Sequence, residues 1–287
     1  MKFAFIKEHQ EEFPIVAMCR VLGVSKSGFY RWLGEPVGKR ERRRAELGAE
    51  ITRVHDANRG VYGSPRVCAA LRHEGRSVCR NTVAKVMKAL GIKARTHRRF
   101  RVRTTDSKHA HPIAPNVLDR SFRAARPDRV WLTDITYIPT DEGWLYLAGV
   151  MDMCSRRIVG WSMAEHMRAE LVRDALHMAI RSRGPSAGLL HHSDRGVQYA
   201  CDQYRRELEA HGITVSMSRT ADCYDNAPAE SFWGTLKTEL VYLERFATRE
   251  QARAAIFEYI EVFYNRSRLH SSLGYVSPER FEAGMAV

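Results

Sequence analysis

RVWLTDITYIP, residues 129–139, decides the fold. Val130, Trp131, Leu132, Ile135, Tyr137 and Ile138 are the aliphatic, β-branched and aromatic residues of a buried strand, and Pro139 with Asp141-Glu142-Gly143 predicts a break and a turn. GWLYLAGVMDM (143–153) and RRIVGWSM (156–163) predict two further strands, joined by a tight turn near Cys154-Ser155. A helix over 169–183, a short strand in GLLHHSD (188–194), a helix over 203–211, a strand in ITVSMS (213–218) and long helices across 227–243 and 249–265 follow. Three strands in series and then alternating helix and strand predict a mixed sheet with helices on its faces. One residue breaks the apolar run. Asp134 is a carboxylate inside a strand, which is costly unless it is paired, hydrogen-bonded or bound to metal.

Upstream of this block the charge changes sign. Residues 1–125 hold 27 Lys and Arg against 11 Asp and Glu, a net of +16, and residues 126–287 hold 19 against 22, a net of −3, which together give the chain's +13. Charge concentrated in one half points to a polyanion-binding part joined to a part with other work. PIVAMCRVL (14–22), GVS (23–25) and KSGFYRWL (26–33) predict a helix with Ile15, Val16, Met18, Cys19 and Leu22 on its apolar side, a stop at Gly23 and a second helix capped by Ser25. This fits a helix-turn-helix presenting Lys26, Tyr30 and Arg31 to DNA, although a plain helical hairpin has the same spacing. Next, KRERRRAELGAEI (39–51) opens an amphipathic helix through His55, Tyr62-Gly63-Ser64-Pro65 precedes a helix over 66–74, and Ser77 or Asn81 starts a third. That third helix sets Arg80, Asn81, Lys85 and Lys88 opposite an apolar stripe of Val83, Val86, Met87 and Leu90. KARTHRRFRVRTTDSKHAHPIAPN (93–116) lacks periodicity and reads as a basic linker able to track phosphates. The segments are therefore a helix-turn-helix at 1–35, a helical DNA-binding domain at 36–95, a linker at 96–125 and a catalytic core at 126–287.

Six cysteines without a CxxC pair read as reduced thiols. No stretch is apolar for the roughly 20 residues of a membrane span, and four apolar residues near the N-terminus are too few for a signal peptide. These features point to the cytoplasm.

Two more acids join Asp134. Asp194 stands where an apolar strand ends and Gly196 begins a loop, the strand end at which ligands gather in open α/β sheets. Glu230 lies in a helix announced by Asp225-Asn226-Ala227-Pro228. At about 100° per residue, Lys237 falls only about 20° from the Glu230 direction and Asn226 about 40° from it. Each acid also has a plain structural reading, as a strand-edge carboxylate, a loop residue or a solvated helix charge.

LTDITYI (132–138), HSDRGVQY (192–199) and YDNAPAESFWGTLKTEL (224–240) together resemble the three motifs of the DDE integrase core in insertion-sequence transposases encoded by two overlapping frames. The 35 residues between Asp194 and Glu230 match that family's spacing. GFYRWL, YGSPRV and YNRSRLHSSLGYVSPERF (264–281) extend the resemblance over nearly the whole chain. It implies a ribonuclease-H-like core, a mixed five-stranded sheet flanked by helices, preceded by all-α helix-turn-helix segments. It implies that Asp134, Asp194 and Glu230 are catalytic metal ligands for two Mg²⁺ or Mn²⁺ ions. The implied reaction is cleavage at a mobile element's 3′ ends followed by strand transfer. By position and charge, Lys237, Asn226, Lys26, Tyr30, Arg31, Arg80 and Lys85 are the candidate DNA contacts. The resemblance also implies double-stranded DNA as partner, a homo-oligomer on it, and an active form that is often a fusion with an upstream-frame DNA-binding protein. A non-catalytic DNA-binding regulator or partner subunit is the alternative, and a ribonuclease-H-like nuclease a third. Thr220-Ala221-Asp222 departs from the family's usual Lys-Gly there, which puts a phosphate contact in doubt but not the triad.

Asp152 reads as structural, and Asp225 as the cap of the Glu230 helix. His191 and His192 have no partners at zinc spacing and read as packing residues. Trp131, Trp144, Trp161 and Trp233 read as core or domain contacts.

Overall fold

The computed structural model describes residues 1–34, 38–95, 112–119, 124–219 and 223–285. Most of the linker, and the departure at Thr220-Ala221-Asp222, lie outside the described residues. The chain divides into two compact units, Met1–Lys93 and Ala94–Val287.

The first unit is all helix. α1 (Lys2–Glu8), α2 (Ile15–Val21) and α3 (Lys26–Gly34) enclose Ile6, Met18, Cys19 and Phe29. Gly23 turns the chain at φ +62°, and the Gly28 N–H donates to Ser25 Oγ at 3.0 Å, the expected cap of α3. Val16, expected on the apolar side of α2, is instead half exposed. At about 100° per residue Val16 stands at the edge of the stripe that buries Met18 and Cys19. α4 (Lys39–Ala57), α5 (Ser64–His73) and α6 (Arg80–Ala89) pack through Ile51, Val54, Val67, Leu71, Val83, Val86 and Met87.

The second unit holds one five-stranded sheet in the order β3-β2-β1-β4-β5. The strands are β1 (Val130–Thr140), β2 (Gly143–Asp152), β3 (Ile158–Ala164), β4 (Leu190–Ser193) and β5 (Thr214–Met217). β1, β2 and β3 run antiparallel, and β4 and β5 join them parallel. This is the ribonuclease-H-like arrangement. Pro139 does not break β1, contrary to the sequence expectation: it pairs with Trp144 in register. β4 accompanies β1 only from Val130 to Leu132, so Pro139 lies beyond the stretch where β1 has strands on both sides.

α7 (Ala169–Arg183) covers one face and packs directly on β3 at Gly160, where a Cβ would lie 2.3 Å from the Ala175 carbonyl oxygen. After β4 come α8 (Val197–Ala200) and α9 (Asp202–Ala210), whose Tyr199, Tyr204 and Leu208 join the core on the α7 face. α10 (Ala227–Leu236) lies on the other face, with Ala229 in a cluster with Leu132, Leu118 and Met153.

The two long helices are not uniform. α10 continues as a π-helical turn over Lys237–Val241, and α11 (Arg249–Phe257) as another over Glu258–Tyr264. The wider turn brings Glu239, Leu240 and Val241 all to the interior. There Arg268 donates to both Glu239 oxygens at 2.7 and 2.8 Å, and the Tyr259 hydroxyl donates at 2.9 Å. α12 (Pro278–Met285) ends the described chain, its Glu282 paired with Arg157 and Arg183.

Candidate metal centre

Strand register brings the first two acids together. Leu132 pairs with His192 in the parallel β1–β4 ladder. Asp134 lies two residues beyond Leu132 in β1, and Asp194 lies two residues beyond His192, directly after the end of β4. Residues 132 and 134 share a face of β1, and Leu132 packs with Ala229 of α10, whose next residue is Glu230. The three carboxylates thus come from a strand, a strand end and a helix over one sheet face.

Their charges act on one another. The Asp134 carboxyl is held well above the usual carboxylate range, first by burial and then by the negative charges of Asp194 and Glu230; the Ile135 N–H, donating to Oδ1 at 2.8 Å, opposes this. The Gly196 N–H likewise donates to Asp194 Oδ1 at 2.9 Å. Lys237 is half buried, with Nζ 4.2 Å from the Tyr137 ring centre. Burial lowers its pKa, and the Asp134 charge works against that lowering.

Among the described residues, no three His, Cys, Asp or Glu side chains form a ready-made cage for a metal ion. The donor chemistry nonetheless fits one kind of ion. Three carboxylates are the hard oxygen ligands of Mg²⁺ or Mn²⁺, and an ion that keeps several waters needs only one or two of them. Carboxylates gathered this closely also have charge for a cation to neutralise.

The expected DNA-contacting residues fall into two groups. Lys26, Tyr30 and Arg31 on α3, and Arg80 and Lys85 on α6, are all exposed. Asn226 is not. It is buried, and its Nδ2 donates to the Thr133 carbonyl at 3.0 Å, tying the start of α10 to β1 beside Asp134. That anchoring takes the place of the expected DNA contact.

Asp225 does not cap α10 either: Asn226 holds the cap position, with no side-chain capping bond. Instead Asp225 accepts from the Arg219 backbone and guanidinium at 2.8 and 3.0 Å and from Asn116 at 2.8 Å. It fastens the approach to Glu230 to the end of β5 and to the segment before β1. The sequence held the residues of this web but not their pairing across more than 100 positions.

Asp152 is structural as read, accepting from the Asp128 and Ser155 N–H groups and the Ser155 hydroxyl. His191 meets the Tyr204 hydroxyl at 2.8 Å and His192 meets Ser216 at 2.9 Å. Burial lowers their pKa values to about 3 and about 4, so both are neutral at ordinary pH. Trp131 is core, but Trp144 is half exposed, its ring edge-on to Tyr137 at 4.9 Å. Two groups beside the acids carry no sequence signal. The Tyr199 hydroxyl, close to Thr133, and the Trp233 indole N–H, close to the Asp134 carboxyl, are buried with no well-formed hydrogen bond.

Comparison with known proteins agrees with this arrangement. Integrase core domain models match residues 124–223 and 230–284, and an HTH-like domain model matches 41–100. The Insertion element IS600 uncharacterized 31 kDa protein of Shigella sonnei is 47% identical over 92% of this chain and 97% of its own length. Transposase InsF for insertion sequence IS3A of Escherichia coli is 42% identical over 98% of both chains.

Proposed function

The chain belongs to the insertion-sequence transposases with an integrase core, and from that membership we propose that Asp134, Asp194 and Glu230 hold two Mg²⁺ or Mn²⁺ ions for cutting and joining DNA. The observation that carries the assignment is the convergence of the three acids, close enough that the charges of Asp194 and Glu230 add to burial in raising the Asp134 carboxyl. Asp134, Asp194 and Glu230 would hold such ions, which would supply Lewis acidity for an in-line phosphodiester displacement.

The protein's own residues do the rest. Asn226 and the Asp225 web fix the helix that carries Glu230. Lys237 offers its ammonium group, which sits over the Tyr137 ring, to a DNA phosphate beside the acids. The basic helices of the first unit, with Lys26, Tyr30, Arg31, Arg80 and Lys85 exposed, hold element-end DNA through its phosphates. Hydrolysis leaves a 3′-hydroxyl on the element end, and that hydroxyl attacks a second strand. The phosphoryl group passes to the new oxygen and the old 3′-oxygen takes up a proton. Joining two ends calls for at least two copies on DNA, and a fusion with an upstream-frame DNA-binding protein is the form in which we expect full activity.

The test is a labelled duplex carrying the element's terminal repeats, incubated with Mg²⁺ or Mn²⁺ and the protein fused to its upstream-frame partner. Joined products from wild type, lost in Asp134→Asn and Glu230→Gln, support the proposal. Nicking without joining identifies a nuclease, and tight binding without chemistry a regulator; either result overturns it.

A further inference from the structure

Asp134 has a neighbour whose placement the sheet was shaped to allow. Trp233 lies one turn after Glu230 on α10 and is 94% buried, at 6% relative exposure. Its indole nitrogen has no hydrogen-bond partner, yet it acts on the Asp134 carboxyl as a nearby donor. Gly149 is the β2 residue directly across from Asp134. A Cβ on Gly149 would lie 2.8 and 3.1 Å from the Trp233 Cη2 and Cζ2 atoms. So the indole occupies the space that a side chain opposite Asp134 would fill. Asp134 in turn accepts from its own neighbour, Ile135, through Oδ1.

We propose that the Trp233 indole N–H is a positioning donor for Asp134, completing its hydrogen bond when that carboxylate turns to a metal ion, with Gly149 as the gap that admits the ring. This inference rests on the metal-binding reading of the three acids. A ligating carboxylate is itself normally hydrogen-bonded, and losing such a support weakens metal binding 10–100-fold. The bond would fix one oxygen of Asp134 and leave the other for the ion. It also gives the buried indole N–H, which makes no well-formed hydrogen bond, an acceptor beside it in Asp134.

The test uses the full chain and Mn²⁺ alone, with free Mn²⁺ read by electron paramagnetic resonance. Four variants are compared with wild type: Asp134→Asn, Gly149→Ala, Trp233→Phe, and a protein carrying β-(3-benzothienyl)alanine at 233, which keeps the ring's shape and replaces N–H by sulfur. The isostere is expected to weaken Mn²⁺ binding at least tenfold with an unchanged melting temperature, and Gly149→Ala to weaken it similarly by displacing the ring. In wild type, the indole proton resonance missing from Trp233→Phe is expected to move downfield on adding Mg²⁺. Wild-type Mn²⁺ affinity in the isostere, with that resonance unmoved, overturns the proposal while the metal site stands. Identical Mn²⁺ binding by wild type and Asp134→Asn overturns the metal-site reading, and the inference falls with it.

Discussion

Replacing Arg268 by Met removes the positive half of a buried pair whose partner, Glu239, sits in the π-helical turn that begins at Lys237. Both side chains are nearly sealed, at 5% and 6% exposure, and the guanidinium grips the carboxylate at 2.7 and 2.8 Å. Stranding one charge of a buried pair costs about 3–5 kcal/mol. The Tyr259 hydroxyl stays on Glu239, but one hydrogen bond to a charged acceptor contributes only about 1.5–3 kcal/mol, so it softens the loss without cancelling it. We therefore expect about 3 kcal/mol, a fall of about 6–12 °C in the melting temperature of a unit this size. Urea unfolding followed by tryptophan fluorescence measures it. The double variant Glu239→Gln with Arg268→Met, which leaves no charge buried, is expected to recover more than half of the loss. A loss under about 1 kcal/mol from Arg268→Met, the scale of an exposed pair, would refute the reasoning. So would a double variant no better than the single one.

Four other outcomes follow from the same geometry. Asp134→Asn is expected to raise the melting temperature of the metal-free protein while abolishing strand transfer, because the carboxylate is buried among like charges. An acid whose folded pKa is raised contributes stability at low pH that is lost as pH rises through that pKa, so the variant's pH–stability curve is flatter than wild type's over that interval. Gly160→Ala is expected to yield insoluble or unfolded protein, since its Cβ meets the α7 backbone at 2.3 and 2.6 Å; soluble expression and circular dichroism check it. Lys237→Gln is expected to raise KM for DNA and to lower the slope of log affinity against log salt by about one, while Arg80→Ala weakens binding evenly across DNA sequences; fluorescence anisotropy over a salt series reads both.

Much of this architecture is written locally. The apolar, β-branched run from 130 to 138 and the Asp194–Gly196 strand end are short-range signals, so the strands and two of the three acids were legible in position. Their meeting was not. It depends on Leu132 pairing with His192, a register that no local pattern contains. Pro139 reads as a break because a proline inside a two-sided strand loses a ladder bond, and only the shortness of β4 beside β1 removes that objection. Asp225 and Asn226 carry the residue types of a helix start, and tertiary partners at Arg219, Asn116 and Thr133 claim them instead. The even helix assumed through Lys237 gives way to a π turn in which Glu239 meets Arg268, 29 positions downstream. Trp233 is indistinguishable in sequence from a core tryptophan, and its relation to Asp134 depends on a missing Cβ across the sheet.

The most direct test of the central claim is an anomalous difference map of crystals of the protein bound to element-end DNA and Mn²⁺. The account predicts two Mn²⁺ peaks about 3.5–4 Å apart, both ligated by oxygens of Asp134, Asp194 and Glu230 and flanking the scissile phosphate. Peaks elsewhere on the protein, or a phosphate seated at the acids without Mn²⁺, would contradict it.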